Sequence, residues 1–278
     1  MIEFKSVSFA YGSSTATQSM TDPASKDSMG ATESLSQPKM APTLDNVSFN
    51  LKPGSRTVVL GHNGSGKSTL ANLCNASLFP FSGEVLVDGN STAEVPSTQI
   101  SSVVGMVRQD PTAQLVCATV FDEVAFGPAN LGLPKEEIVS RVTQTLELCG
   151  IADLIDAPTH TLSGGQQQLV SIAAALSVHP RYLVLDEAFA QLDTRFRNHL
   201  SKLVNTLVAN GMGVLEISHS FESLPGADQV LVLEKGQLVW SGTPTEFLLD
   251  ANAIANAGFD DALTATAQIA AQAGYKFD

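Results

Sequence analysis

A glycine-rich loop that ends in lysine, serine and threonine is the segment of this sequence with the clearest chemical meaning. It fits the pattern G-x-x-x-x-G-K-[ST], follows an apolar run of strand length, and opens a helical run at Leu70. Its glycines let the backbone amides point at phosphates, and the following helix adds the positive end of its dipole. We expect Lys67 to reach the β- and γ-phosphates and Ser68 to ligate Mg²⁺. The ATP-binding candidates are Gly61, His62, Asn63, Gly64, Ser65, Gly66, Lys67, Ser68 and Thr69.

Two adjacent carboxylates, Asp186 and Glu187, follow the apolar run 182–185. Ligands of open α/β sheets bind at the carboxyl ends of the strands, so this pair should lie beside the phosphate loop. We interpret Asp186 as the residue that holds Mg²⁺ through water, and Glu187 as the general base for the attacking water. The alternative is that such a carboxylate only caps a helix.

A second anion site is indicated by Ser163, Gly164, Gly165 and Gln166. A serine hydroxyl and two glycine amides at the start of a helix can hold a γ-phosphate. This segment, within the longer run 162–168, resembles the signature motif of the ATP-binding-cassette family. The sequence thus carries two phosphate-binding elements.

The resemblance implies an ATPase in which two cassettes pack head to tail, so that each ATP is held by the phosphate loop of one and the signature of the other. It also implies roles for four further residues. Tyr11 would stack on adenine, Gln109 would lie near Mg²⁺ and take part in catalysis, Asp193 would belong to the D-loop, and His219 would be the catalytic switch histidine. Taken singly, they could instead be a core aromatic, a surface amide, a helix cap and a satisfied loop histidine.

The segments 107–116 and 119–132 are similar to those of energy-coupling-factor ATPases. This resemblance implies a peripheral subunit on the cytoplasmic face of the membrane. Its partners would be a second ATPase, identical or different, a transmembrane coupling protein and a substrate-binding membrane subunit, and its cargo a vitamin or transition-metal ion. We hypothesise that Asp122 or Glu123 pairs with an arginine of the coupling protein. The alternatives are the ATPase of another ABC transporter and a soluble ABC ATPase without a transport role.

Composition excludes several other classes of protein. The formal charge of −13 over 278 residues argues against a nucleic-acid partner, whose phosphates attract Lys and Arg. No apolar run is long enough to span a membrane. Cys74, Cys117 and Cys149 are far apart and lack zinc-site spacing, so we expect reduced core thiols.

Strand-length apolar runs at 57–60, 103–107, 182–185, 214–217 and 230–233 are separated by helical patterns. This rhythm predicts a largely parallel α/β sheet, with an additional helix between Pro134 and Gly150. The resemblance specifies a P-loop NTPase fold of the ABC-transporter ATPase type, with an antiparallel β subdomain and a helical signature subdomain.

The predicted ATPase domain is 1–249, interrupted by a polar insertion at 13–42 that we expect to be disordered. An alanine-rich helical extension, 250–278, follows, and the sequence leaves open whether it packs on its own domain or on a partner. Two departures from the family pattern stand out. Leu169 replaces the usual Arg after the signature, and Ala188-Phe189 replaces the usual Pro-Thr after the catalytic Glu.

Overall fold

Two sheets and a group of helices make up the fold, and the computed structural model describes residues 1–12, 41–190 and 192–259. The strands are β1 Ile2–Phe9, β2 Leu44–Leu51, β3 Arg56–Leu60, β4 Ser82–Val87, β5 Asn90–Ser91, β6 Val104–Val107, β7 Tyr182–Asp186, β8 Gly213–Ile217, β9 Gln229–Glu234 and β10 Gln237–Gly242. The α-helices are α1 Lys67–Cys74, α2 Ser97–Ser101, α3 Pro111–Gln114, α4 Val120–Asn130, α5 Lys135–Leu148, α6 Gly164–Leu176, α7 Thr194–Ala209, α8 Pro244–Leu249 and α9 Ala251–Asn256.

The central sheet has six strands in the order β10-β9-β3-β8-β7-β6. All neighbours in it are parallel except the edge pair β9 and β10. Strands β3, β7 and β8 are buried at every position, which is why they read as continuous apolar runs. The five predicted strands are confirmed as β3 and β6 to β9, and they bring the carboxyl ends of β3 and β7 to the same edge.

The second sheet has the order β2-β1-β4-β5 with antiparallel pairing, which confirms the expected β subdomain. Its side chains share one hydrophobic cluster with α1 and the central strands. In the turn after β4, Asp88 accepts hydrogen bonds from the Tyr182 hydroxyl at 2.7 Å and from Arg181 Nη1 at 2.7 Å. The start of β7 is thereby tied to the second sheet.

The helical subdomain is built from α4, α5 and α6, whose apolar side chains form a separate cluster against one face of the central sheet. Helix α5 confirms the helix predicted between Pro134 and Gly150, and Gly150 follows it with φ +68°. Both departures from the family pattern lie in this apolar environment. Leu169 and Ala188 are 2% and 3% exposed, and Phe189 packs against the same cluster. Apolar side chains here add to the core of the subdomain.

The predicted insertion begins and ends at one point of the second sheet. Thr43 N donates to Phe9 O at 2.7 Å, so the chain leaves β1 and returns to β2 through adjacent residues. Residues 13–40, most of the segment expected to be disordered, lie outside the described residues.

Residues 250–259, which include helix α9, are the described part of the C-terminal extension, and residues 260–278 lie outside the described residues. Ala253, Ile254 and Ala257 are buried against β3, β9 and α8, so α9 packs on its own domain. Over the described ranges, no helix combines the length and the apolar character needed to cross a bilayer.

Candidate active site

The glycine-rich loop lies between β3 and α1, as predicted. Gly61 has φ +152°, and a Cβ atom there would lie 2.2 Å from Leu233 O. Gly66 has φ +104°, and its Cβ would lie 2.8 Å from Thr43 O. Both positions therefore require glycine for conformation and for space. His62 and Asn63 are exposed at the tip of the loop.

Lys67 is buried inside the loop that it follows. Its Nζ donates to Gly61 O at 2.7 Å and to His62 O at 3.0 Å. Burial lowers the pKa of this ammonium group, and the nearby charges of Glu187 and Asp186 oppose that shift. The cation is thus held by carbonyl oxygens that a bound phosphate would displace.

Ser68 and Asp186 supply two oxygens that suit a magnesium ion. Ser68 Oγ donates to Asp186 Oδ1 at 3.2 Å, and Asp186 is 7% exposed. Burial raises the pKa of this carboxyl, against the opposing hydrogen bond from Ser68. Among the described residues no cluster of three or more His, Cys, Asp or Glu could hold a metal alone. Mg²⁺ commonly takes only one or two protein ligands beside phosphates and water, so these residues fit the ion.

A buried hydroxyl in the loop also fits a phosphate ligand. Ser65 is 3% exposed, and its Oγ has no hydrogen-bond partner within the described part of the chain. An unpaired buried hydroxyl is costly, so a ligand oxygen that accepted from it would be favourable.

Glu187 lies between the other two predicted catalytic side chains. Gln109 Nε2 donates to Glu187 Oε2 at 3.0 Å, and His219 Nδ1 is 3.6 Å from the same oxygen. Glu187 has φ +53°, a left-handed conformation that is rare for a residue with a side chain and often marks a functional site. Its amide donates to Ile217 O at 3.1 Å, which fixes it to the end of β8.

One cleft of about 530 Å³ joins the start of the glycine-rich loop to the three catalytic candidates. Its lining residues are Gly61, His62, Asn63, Gln109, Glu187, His219, Ala257 and Gly258. The phosphate loop and the three catalytic candidates therefore face a common space. None of the signature residues lines this cleft.

The signature residues start helix α6. Ser163 is its N-cap: Ser163 N donates to Gln166 Oε1 at 2.9 Å, and Gln166 N donates to Ser163 Oγ at 3.4 Å. This capping box leaves the Gly164 and Gly165 amides as the unpaired donors of the first turn. Asp193 caps α7 by accepting from Phe196 N at 2.9 Å, so it is a helix cap as well as a D-loop candidate.

Tyr11 is 51% exposed, which rules out its alternative interpretation as a core aromatic. Its hydroxyl lies 3.2 Å from Thr69 Oγ1, and its ring meets Phe9 edge-on with centroids 4.9 Å apart. The half-exposed ring is thereby held next to the glycine-rich loop.

The structure narrows the hypothesis that at least one of Asp122 and Glu123 pairs with an arginine to Asp122. Glu123 is 6% exposed, and its Oε2 accepts from Val116 N at 2.8 Å and Cys117 N at 2.6 Å. Its carboxylate is thus committed to fixing the turn before α4. Asp122 is exposed, and its Oδ2 accepts from Thr119 Oγ1 at 2.7 Å. Asp122 alone of the two acids remains available to a partner.

Two features near the site were missed from the sequence. Phe221, two residues after His219, stacks on Phe259 with centroids 3.9 Å apart, so the C-terminal segment supports the loop that carries His219. Arg108 lies close enough to lower the pKa of Asp186. The signals were an aromatic residue within the alanine-rich stretch and a basic residue directly before Gln109.

Comparison with known proteins places the chain in a family. Residues 44–190 match the protein-family model described as ABC transporter. The chain is 39% identical over 218 residues to the energy-coupling factor transporter ATP-binding protein EcfA1 of Oceanobacillus iheyensis, covering 78% of each chain. It is 40% identical over 219 residues to EcfA1 of Streptococcus thermophilus, covering 78% of this chain and 79% of that one.

Solved structures agree in fold. CbiO1 from Clostridium perfringens, part of the ABC transporter complex cbiONQ, superposes with a TM-score of 0.74 at 29% identity, covering 96% of this chain and 97% of that one. A dimeric ATP-binding cassette bound to ADP and Pi superposes with a TM-score of 0.72 at 23% identity, covering 88% of this chain and 99% of that one.

Proposed function

Because this chain belongs to the ABC transporter family and is an ATP-hydrolysing subunit of the energy-coupling-factor type, we propose that it drives uptake of a vitamin or transition-metal ion. It would do so at the cytoplasmic face of the membrane, paired with a second ATPase and bound to a transmembrane coupling protein and a substrate-binding membrane subunit. The observation that supports this most is the segment 107–132, where sequence resemblance to that transporter class coincides with exposed Asp122 and Phe126.

In this proposal the residues of the cleft divide the chemistry of ATP hydrolysis among them. The Lys67 ammonium leaves Gly61 O and His62 O and binds the β- and γ-phosphates. Glu187 accepts a proton from the attacking water, while Gln109 orients its carboxylate through the 3.0 Å hydrogen bond. His219, 55% exposed, can move from its 3.6 Å approach to Glu187 toward the γ-phosphate.

Ser68 and Asp186 would hold Mg²⁺ at the mouth of the phosphate loop, with Gln109 near it. The ion would neutralise negative charge on the phosphates during transfer. Asp186 is well placed for this because its carboxylate lies at the end of β7, buried and 3.2 Å from Ser68.

The catalytic part is tested with two substitutions that separate chemistry from binding. Glu187→Gln should keep ATP affinity but lower turnover by about 10²–10⁴-fold, because it removes the general base without changing the shape of the side chain. Lys67→Ala should weaken nucleotide binding itself, because it removes the charge on the phosphates. ATPase rates and equilibrium binding of a fluorescent ATP analogue measure both, and near-normal hydrolysis by Glu187→Gln would refute the assignment.

The transport part is tested by co-purification in detergent and by uptake in reconstituted vesicles. Asp122→Lys should reduce assembly with the membrane subunits while leaving hydrolysis by the detached ATPase intact. Asp122→Asn, which keeps the size of the side chain without its charge, is the matched control for an ion pair with arginine. Normal uptake by Asp122→Lys would dispose of this contact, and co-purification of a different class of membrane protein would dispose of the transporter assignment.

A further inference from the structure

The first turn of the signature helix rests on one aromatic ring from α7. A Cβ atom at Gly165 would lie 2.7 Å from Phe196 Cδ2, 2.8 Å from Cγ and 3.0 Å from Cε2. No side chain fits between them, so the Gly165 backbone is in direct contact with the ring. Phe196 is itself partly buried and packs against the cluster of the helical subdomain.

The same phenylalanine is bound through its backbone to the D-loop. Phe196 N donates to Asp193 Oδ1 at 2.9 Å, which caps the first turn of α7. One residue later, Arg197 Nη2 donates to Leu192 O at 3.1 Å and fixes the other side of Asp193. The ring of Phe196 therefore has a defined position relative to Asp193.

The contact matters because Gly165 carries one of two backbone amides at the start of α6 that are free within the described residues. The capping box pairs the amides of Ser163 and Gln166 with side chains, whereas no described residue accepts from the amides of Gly164 and Gly165. Their direction depends on how the first turn of α6 lies on its support. The Phe196 ring is that support.

We propose that Phe196 is a positioning residue that sets the Gly164 and Gly165 amides in register with Asp193 for the ATP bound by the second ATPase. This inference rests on the proposed function in its shared-site arrangement. It predicts an effect in trans: loss of the ring harms hydrolysis at the phosphate loop of the partner ATPase and leaves the site of its own chain unaffected. A residue that only stabilised the fold would affect both sites alike.

The test uses two mixed complexes of this chain with the ATPase that it pairs with, purified with their membrane subunits through two affinity tags. In the trans complex, this chain carries Phe196→Ala and Glu187→Gln, so the one active general base belongs to the partner and faces the altered signature. In the cis complex, this chain carries Phe196→Ala alone and the partner carries the Glu-to-Gln change at its own general base. Matching complexes without Phe196→Ala give the reference rates.

We expect the trans complex to lose at least about tenfold in kcat, because misplacement of a catalytic donor by an ångström costs up to about 10²-fold. The cis complex should stay within about twofold of its reference, with an unchanged KM for ATP. Phe196→Tyr keeps the ring and should restore the trans rate. Phe196→Leu, which keeps the apolar bulk but not the ring, replaces Phe196→Ala if the latter does not fold.

Equal losses in both complexes, or no loss in either, would overturn the inference. If instead the cis complex lost activity while the trans complex kept its reference rate, the signature would act on the ATP of its own chain, and the shared site itself would be wrong. That result would overturn the proposed arrangement rather than the role of Phe196 alone.

Discussion

Removal of Arg56 should destabilise the protein strongly, because Arg56 forms a buried ion pair with Glu216. Their side chains are 2% and 0% exposed, and they lie on the adjacent strands β3 and β8. Arg56 Nη2 and Nε donate to Glu216 Oε2 at 2.6 and 3.1 Å, and Nη1 donates to Pro225 O at 2.8 Å. The guanidinium group thus joins two strands to the loop that follows His219.

Arg56→Met would leave the Glu216 carboxylate buried without a counter-ion. Breaking one partner of such a pair costs about 3–5 kcal/mol in the free energy of unfolding. At about 2–4 °C per kcal/mol for a domain of this size, the melting temperature should fall by roughly 6–20 °C. ATPase activity should fall with it, since Glu216 precedes Ile217, whose carbonyl accepts the Glu187 amide at 3.1 Å.

The assay is thermal and urea unfolding followed by circular dichroism, with Lys5→Met as the control. Lys5 Nζ and Glu84 Oε2 form an exposed pair at 3.9 Å, so its loss should cost under about 1 kcal/mol. The double variant Arg56→Met, Glu216→Leu should recover most of the stability, because it removes the uncompensated charge. The reasoning fails if Arg56→Met unfolds within 1 °C of wild type, or if the double variant is no more stable than the single one.

The remaining predictions concern the metal site and the insertion. Because burial raises the pKa of Asp186, its ionised form destabilises the folded state at neutral pH. Asp186→Asn should therefore raise the melting temperature of the nucleotide-free protein at pH 7. This gain should disappear below about pH 4, because the carboxyl of the wild type is then protonated in both the folded and the unfolded state. The same substitution should abolish stabilisation by Mg²⁺ and ATP. Replacing 13–40 by a short Gly-Ser linker should change neither the melting temperature nor the ATPase rate appreciably, because the hydrogen bond from Thr43 N to Phe9 O already joins the ends of the segment. A drop of several degrees in the melting temperature would contradict this.

The sequence predicted the parts of the fold that have a strong local pattern. The central strands are apolar at nearly every position because helices or the second sheet cover both faces, and the glycine loop is specified by steric need at Gly61 and Gly66. The individual strands of the second sheet were not predicted. In β1, irregular register around Ser6, which has φ +50°, interrupts the alternation of buried and exposed residues.

Contacts between distant residues explain what the sequence did not reveal. Glu123 has the charge of a surface residue, but two amides of the preceding turn bind its carboxylate and bury it. Glu216 lies within an apolar run and is paired with Arg56 from a strand far earlier in the chain. Phe259 looks like part of an extension, yet it stacks on Phe221, two residues after His219. No local pattern identifies such partners.

The path of the chain between its two phosphate-binding elements explains how they can act together. Helix α6 begins at the signature and leads directly into β7, which ends at Asp186 and Glu187. From Glu187 the chain continues to Asp193, and α7 then returns through Phe196 to Gly165. Glu187, the proposed general base, and the Gly164 and Gly165 amides, the proposed phosphate donors, are therefore joined within one chain by a series of packed elements. In the proposed pair of ATPases that share their sites, this route would hold the amides offered to the partner's ATP at its Phe196–Gly165 end and the chain's own Glu187 at its β7 end.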